Sequence, residues 1–439
     1  MGETDTDAAD QFDRQVASGK LNESYPGLWR RYRLLPLNVF AISLISLLND
    51  ASSEIIYPLL PVFLFTTLGA SAKALGLIEG AAESASSLLK LGAGYLSDRI
   101  SKRKLLVVGG YGLANFVRPL LAFTANWQQV LVIRVTDRVG KGIRSAPRDA
   151  MIADSVREEH RGLAFGLHRA MDHFGAVLGP LAGYLLVRLF VADRDSPTAS
   201  EFTTLFLMAS IPGLIAVLVA IFCLREAPGR QAVVTSKPAK LSLQGFDSNF
   251  KRFLFIIALF TLSNSSDGFL ILRARDAGVS LTDIPLLWAA LHGSKTISSL
   301  LGGDLSDRLG RRSLIISGWI LYAAVYAGFA FVSSATTVWV LFLVYGIYFG
   351  LAEGAEKALV ADLARPEQRG TAYGLYNLAF GITVLPASLL MGVIWDWQGP
   401  AAAFLFSAGV GVGAAALMLT VDSKRRPPAL PTTREPAKV

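Results

Sequence analysis

The feature that most constrains this chain is a series of about twelve apolar stretches, each close to the ~20 residues a helix needs to cross a ~30 Å hydrocarbon core. They fall near 37–65, 74–96, 105–125, 128–152, 162–190 and 202–224, then near 250–272, 284–305, 313–333, 336–361, 371–395 and 401–421. The expected fold class is therefore an all-α membrane protein of twelve transmembrane helices. Charged residues make up 17% of the 439 positions, against ~25% in soluble domains, which excludes disorder and an ordinary soluble enzyme. Cys223 is the sole cysteine, so an intramolecular disulfide and a Cys-based metal site are both excluded. One long polar break, 225–249, separates an expected six-helix bundle at 37–224 from a second at 250–421, with polar tails at 1–36 and 422–439.

Orientation follows from the basic residues of the short loops. Arg99, Lys102, Arg103, Lys104, Arg157, Arg161, Arg308, Arg311, Arg312, Arg365 and Arg369 fall on one side, with Arg30, Arg31, Arg33, Lys424, Arg425 and Arg426 of the tails. The opposite loops hold a few, such as Lys73, Arg194, Arg273 and Arg275. Both termini and the linker are thus expected in the cytosol, with the protein in the inner or plasma membrane. The net charge of +8 is explained by this asymmetry and calls for no nucleic acid. The first apolar run is too long for a signal peptide, and nothing before it reads as cleavable.

The two halves repeat each other. GYLSDRISKRK at 94–104 returns as GDLSDRLGRRS at 303–313. Ala150, Ala153, Asp154, Arg161, Gly162, Gly166 and Leu167 return at one offset as Ala358, Ala361, Asp362, Arg369, Gly370, Gly374 and Leu375. Parallel six-span repeats place substrate near the midplane, between two rocking halves. On these residues the chain resembles the major facilitator superfamily (MFS) along nearly its whole length. Gly94, Asp98, Arg99, Lys102 and Arg103 match the family's signature between spans 2 and 3, and Gly303, Asp307 and Arg308 carry its second copy; Ser101 replaces a usual glycine. The resemblance implies that Asp98 and Asp307 latch one conformation without touching substrate. Gly166, Gly175, Gly179, Pro180 and Gly183 resemble the span-5 motif of drug:proton antiporters, with Tyr184 where a glycine is common. Physically, glycines at 175, 179 and 183 line one helix face and let another helix approach closely, or serve as ordinary small-residue packing. Arg134 and Gly140 match the span-4 signature, whereas Asp137 and Arg138 depart from it.

Ionisable groups inside a span cost about 2.5–3.5 kcal/mol each on insertion scales and mark a pathway or cavity. Arg134, Arg138, Lys141, Arg144 and Arg148 occupy an arc of about 120° on predicted span 4, one stripe down the helix. Such a stripe fits an anionic or zwitterionic substrate, since guanidinium presents a planar fork to carboxylate or phosphate; an internal salt-bridge lattice is the alternative. Candidate substrate contacts are Arg134, Arg138, Lys141, Arg144, Asn49 and Glu353. A carboxylate beside an arginine stays ionised, and can take a proton once desolvated and deprived of that partner. Candidate proton-coupling groups are Glu54, Asp50, Glu83, Asp172, His168 and Asp267, each of which could instead be a static ion pair. Glu79 and Lys90 flank Glu83 on span 2, and His292 takes the repeat position of Glu83. His168, Arg169, Asp172 and His173 cluster on span 5, yet offer no evident metal-ligand set.

The reading is a proton-coupled secondary transporter, acting as a monomer in the lipid bilayer and exporting a small organic compound. Rival readings are import of an organic anion, metal chelate or divalent metal, and a non-transporting sensor or scaffold. No enzyme and no cofactor are expected, because the chain has no phosphate loop, ligand set or nucleophile–base pair.

Overall fold

The computed structural model describes residues 35–99, 103–156, 161–193, 197–226, 242–365 and 368–422. Every regular element among them is helical. The first half contains α1 (Leu37–Ile56), α2 (Leu60–Thr66), α3 (Ala72–Arg99), α4 (Arg103–Val117) with a 3₁₀ continuation Arg118–Phe123, α5 (Trp127–Asp154), α6 (Arg161–Phe190) and α7 (Ala199–Cys223). The second contains α8 (Ser248–Ser263), α9 (Gly268–Asp276), α10 (Asp283–Leu309), α11 (Arg311–Phe331), α12 (Ala335–Leu363), α13 (Arg369–Gln398) and α14 (Pro400–Met418).

Local sequence sets the helix ends. The side chains of Asn126, Asp247 and Ser334 accept from backbone N–H groups three residues on, at 3.1, 2.8 and 3.3 Å, which satisfies donors the first turn leaves open. Thr198 and Glu201 form a reciprocal capping box at α7. Gly310 makes the turn between α10 and α11 at φ +86°, a conformation that an L side chain rarely adopts.

Two of the expected spans are broken. The first, read as continuous from 37 to 65, is interrupted at Tyr57–Leu59, where Pro58 has no N–H to continue the helix. The seventh, read as continuous from 250 to 272, unwinds over Asn264–Asp267, where Asn, Ser and Asp side chains compete for the backbone. Counting each broken span as one, nine helices among the described residues are long and apolar enough to cross a membrane. Three more, α3, α5 and α10, have 28, 28 and 27 residues and so extend about 40 Å. The α3 and α5 helices carry the buried Glu79, Arg134, Asp137 and Arg144, and α10 carries His292 and Lys295, which lowers their apolar content.

Lipid-facing surface is legible on α7, where Ile211, Ile215, Leu218 and Phe222 form an exposed stripe at helical spacing. Asn38 accepts from the backbone N–H of Arg225 at 3.1 Å, and Asn249 donates to the carbonyl of Asp422 at 2.8 Å. Each half therefore begins and finishes at the same end of the molecule. The sequence repeat is also a structural one: Arg103 pairs with Asp154 across α4 and α5, and Arg311 with Asp362 across α11 and α12 at 2.7 Å.

The halves are joined most extensively by α3 against α13, then α6 against α10 and α2 against α9. One apolar core takes in residues of both halves at the end away from the chain termini, among them Ile55, Leu59, Phe63, Leu75, Phe269, Leu287 and Leu291, and continues through the second half to Phe250 and Val421. A second core, with Val39, Ile42, Val107, Met151 and Ala216, belongs to the first half alone. The far end is thus sealed by both halves together. Toward the termini, Arg169, Glu353 and Lys357 are exposed on their helices.

Candidate functional site

The two helix breaks face each other and wall a cavity of ≈ 260 Å³. Irregular backbone is tolerated at membrane depth where it lines such a space. Glu54, Tyr57, Glu79, Glu83 and Arg138 come from the first half. The second half supplies the unwound segment Asn264–Asp267, then Trp288, His292, Phe349, Phe380, Val384 and Ser388. Close helix packing fixes this geometry. A Cβ on Gly179 would lie 2.6 Å from the carbonyl oxygen of Ala51 and 2.9 Å from Cβ of Glu54; one on Gly175 would lie 2.5 Å from the carbonyl of Leu47. The glycine face of α6 so lets α1 lie close beside it and sets the position of Glu54. Gly183 continues the face, near Ile55 and near Pro285 of the other half.

The span-4 stripe divides into groups with different surroundings. Arg134 is buried in a two-point pair with Glu79, its Nε and Nη2 each donating at 3.0 Å. Asp137 is held by Arg118, which donates at 3.1 and 2.8 Å and also reaches Asn49, Ser52 and Asn115. Asn49 therefore belongs to a buried network inside the first half and is absent from the cavity lining. Arg144 is buried with its guanidinium 4.3 Å from the ring centre of Tyr111, and its Nε and Nη1 have no hydrogen-bond partner among the described residues. Lys141 is half-buried outside the lining. Arg148 pairs with Asp149 at 2.9 Å.

Arg138 is the stripe's contribution to the cavity. Its nearest acids are Asp137 at 3.8 Å and Glu83 at 4.0 Å, and its guanidinium makes no hydrogen bond among the described residues. Glu83 likewise makes none and is 34% exposed, against 14% for Arg138. An arginine with free donors beside a void is placed to take a bidentate anionic group.

Across the cavity the carboxylates are tied to the second half. Glu54 accepts from the indole N–H of Trp288 at 2.7 Å and lies 3.6 Å from Nε2 of His292. As the alternative to proton coupling, Glu54 could be one half of a static ion pair; the partners it has, Trp288 and His292, both belong to α10 of the second half. Asp267 accepts from the Tyr345 hydroxyl at 2.7 Å and lies 3.6 Å from Lys295, whose ammonium sits 3.6 Å over the Phe349 ring. Tyr57 meets Ser266 at 3.5 Å and packs 5.0 Å from Trp288, centre to centre.

Of the expected residues, then, Arg138, Glu54, Glu83 and Asp267 converge on one space. Asp50 accepts from Asn49 at 2.9 Å, and His168 and Asp172 approach each other to 3.6 Å within the first half; none of the three lines the cavity. Glu353, expected to contact substrate, is exposed and bound to Lys357 at 2.7 Å, away from the lining. The side chains of Gly94, Asp98, Arg99, Gly303, Asp307 and Arg308, expected as a latch, lie outside the described residues. Sequence reasoning missed Arg118, although a charge within the apolar stretch 105–125 is a usable signal. Tyr57, Trp288, Tyr345, Phe349 and Phe380 gave no signal, since in sequence they read as ordinary apolar positions. No group of three metal-ligating side chains occurs among the described residues.

Comparison with known proteins assigns this architecture. The sequence matches the Major Facilitator Superfamily over residues 42–355 and 253–439. It is 34% identical over 395 residues to an MFS-type transporter of Methanocaldococcus jannaschii, covering 89% of this chain and 96% of that one. It is 26% identical over 380 residues to the multidrug resistance protein MdtG of Klebsiella pneumoniae, covering 83% and 88%. Among solved structures, the nucleoside transporter NupG superposes with TM-score 0.74 at 14% identity, over 88% of this chain and all of that one. A bacterial homologue of the lysosomal transporter Spinster, in an inward-facing and unoccupied conformation, superposes with TM-score 0.67 at 16% identity, over 91% and 96%. The chain belongs to the Major Facilitator Superfamily. It is an integral, multi-pass membrane transporter of small molecules, and the family and its structural neighbours are transporters rather than enzymes.

Proposed function

We propose that the chain is a proton-coupled secondary transporter that exports a small zwitterionic or anionic organic compound, with Arg138 as its anchor. In this reading all twelve long helices span the membrane as two six-helix bundles, 37–224 and 250–421, joined by a cytosolic linker at 225–249. The tails 1–36 and 422–439 are cytosolic, and the monomer sits in the cell membrane. The observation that carries the substrate class is the guanidinium of Arg138, which makes no hydrogen bond among the described residues, at a cavity whose other ionic groups are Glu54, Glu79, Glu83, Asp267 and His292. Arg138 takes the anionic group of the substrate, Glu83 or Glu54 meets its cationic end, and Tyr57, Trp288, Phe349 and Phe380 enclose the remainder. The sealed far end and the exposed Arg169, Glu353 and Lys357 near the termini correspond to a state open to the cytosol.

Proton coupling is assigned first to Glu54, because its hydrogen bond joins the halves that must separate when the far end opens. Protonation weakens the attraction to His292, and deprotonation restores it. Export is favoured by the glycine face of α6 and by the similarity to a multidrug resistance protein. The test is transport in proteoliposomes under an imposed pH gradient. The wild type accumulates or expels organic zwitterions in response to the gradient, whereas Glu54→Gln loses that response while retaining exchange of substrate across the membrane. Gradient-driven transport by Glu54→Gln at the wild-type rate contradicts the assignment.

A further inference from the structure

Outside the central cavity, the buried carboxyl group of Glu356 has no ion pair among the described residues. Glu356 of α12 accepts at 2.9 Å from the indole N–H of Trp319 on α11 and at 2.9 Å from the hydroxyl of Tyr376 on α13. Both donors are neutral. The charged and titratable groups on the elements packed around it are engaged elsewhere. Glu353 and Lys357 of α12 pair with each other at 2.7 Å; Lys295 and His292 of α10 lie against Asp267 and Glu54. Tyr322 of α11 donates to the carbonyl of Ser263, Tyr373 of α13 to the carbonyl of Lys357, and Arg252 of α8 to that of Thr420. Phe260, stacked at 4.1 Å on Trp319, helps to close the site to water. A charged carboxylate in such surroundings is costly even with two hydrogen bonds, and adding a proton removes the charge.

The two donors differ in a way that matters. The indole of Trp319 can only donate, while the hydroxyl of Tyr376 can donate or accept. With Glu356 ionised, both donate to it. With Glu356 protonated on the oxygen facing Tyr376, the hydroxyl turns and accepts, and no heavy atom has to move. A route to water also exists: Tyr376 is half-buried, and Glu353, one turn before Glu356 on α12, is exposed. Tyr376 lies on α13, the helix that packs most extensively against the first half, so motion between the halves bears on this bond.

We propose that Glu356 is a proton-binding site of the second half, loaded and unloaded through Tyr376 and separate from the substrate cavity. The proposal rests on the proton-coupled reading and extends it by placing a second proton. No other chemistry is involved: water or hydronium at the open end donates the proton, and a carboxylate oxygen receives it.

Difference infrared spectroscopy of the purified protein in lipid nanodiscs tests this without transport. As pH falls across the range in which the protein stays folded, a protonated-carboxyl C=O band is expected to grow in. It should be missing in Glu356→Gln and shifted in frequency and midpoint in Tyr376→Phe, which keeps the ring and removes only the hydroxyl. A band of equal amplitude in Glu356→Gln, or one unaltered by Tyr376→Phe, overturns the proposal. In proteoliposomes the protons moved per substrate should fall by one in Glu356→Gln, and an unchanged ratio also overturns it. A wild type indifferent to the pH gradient but showing the Glu356 band would instead refute coupling at Glu54 while upholding the site.

Discussion

The indole of Trp288 donates to Oε2 of Glu54 at 2.7 Å, a bond from α10 of the second half to α1 of the first. It sits at the boundary between the cavity and the apolar core that both halves share at the far end. Removing the donor leaves a partly buried carboxylate with one fewer partner, at a cost of about 1–3 kcal/mol. Trp288→Phe keeps most of the ring surface. It is expected to lower thermal stability of the purified protein and to slow exchange at least tenfold, with Glu54→Gln/Trp288→Phe no worse than the poorer single variant. Strict additivity of the two substitutions would show that the residues act apart.

The bidentate contact between Arg134 and Glu79 is structural by this account, even though it belongs to the same stripe as Arg138. Arg134→Ala strands a buried carboxylate and should destabilise the protein by about 3–5 kcal/mol. Replacing both partners, Arg134→Met with Glu79→Leu, should restore most of that stability. Melting curves in detergent check the stability, and substrate binding by the double variant separates this from a binding role, in which it would be stable but unable to bind substrate.

Glycine spacing in α6 is tied to close contact with α1. Gly179→Ala drives a methyl group into the Ala51 carbonyl and the Glu54 side chain and should cost about 1–3 kcal/mol through overpacking. Gly109→Ala, on α4, meets nothing within 4 Å and should gain up to about 1 kcal/mol from reduced backbone freedom in the unfolded chain. The pair is read from folded yield and melting temperature, and equal losses at both sites would contradict the packing argument.

Asp396, near the end of α13, caps the other half: its carboxylate accepts from the backbone N–H groups of Ala72 and Lys73 at 3.0 and 2.9 Å, where α3 begins. A carboxylate is favoured there by the open donors and the positive end of the helix dipole. Asp396→Ala should weaken the seal by about 0.5–2 kcal/mol, the range of an N-cap loss. With the exposed Cys223 replaced by Ser, a cysteine introduced at the buried Leu75 should then react severalfold faster with a maleimide added from the far side. Unchanged labelling would show that the cap does not hold the seal.

Much of this architecture was legible in the sequence for physical reasons. Span length follows from the thickness of a bilayer, and the repeated GxLSDR segment points to the superfamily that the sequence matches. The charge stripe on α5 was equally visible, but its meaning depended on partners contributed by other helices. Glu79 takes up Arg134 and Arg118 takes up Asp137, and periodicity along one helix says nothing of either. Glu54 illustrates the same limit, since its partners lie 234 residues away for Trp288 and on the same helix for His292. The breaks at Tyr57–Leu59 and Asn264–Asp267 had local signals, Pro58 and the polar run NSSD. The hydropathy of the flanking residues masked both.

Equilibrium binding to Arg138 variants tests the central assignment most directly. Titration calorimetry of the wild type against a panel of amino-acid-like zwitterions, organic anions and organic cations should identify a ligand carrying a carboxylate or phosphate. Arg138→Gln should weaken its binding at least tenfold, about 1.4 kcal/mol, with the melting temperature of the unliganded protein little changed. Arg144→Lys, on the ring of Tyr111 outside the cavity, should leave the affinity within twofold of the wild type. A ligand whose affinity is unchanged in Arg138→Gln and reduced in Arg144→Lys would contradict the account.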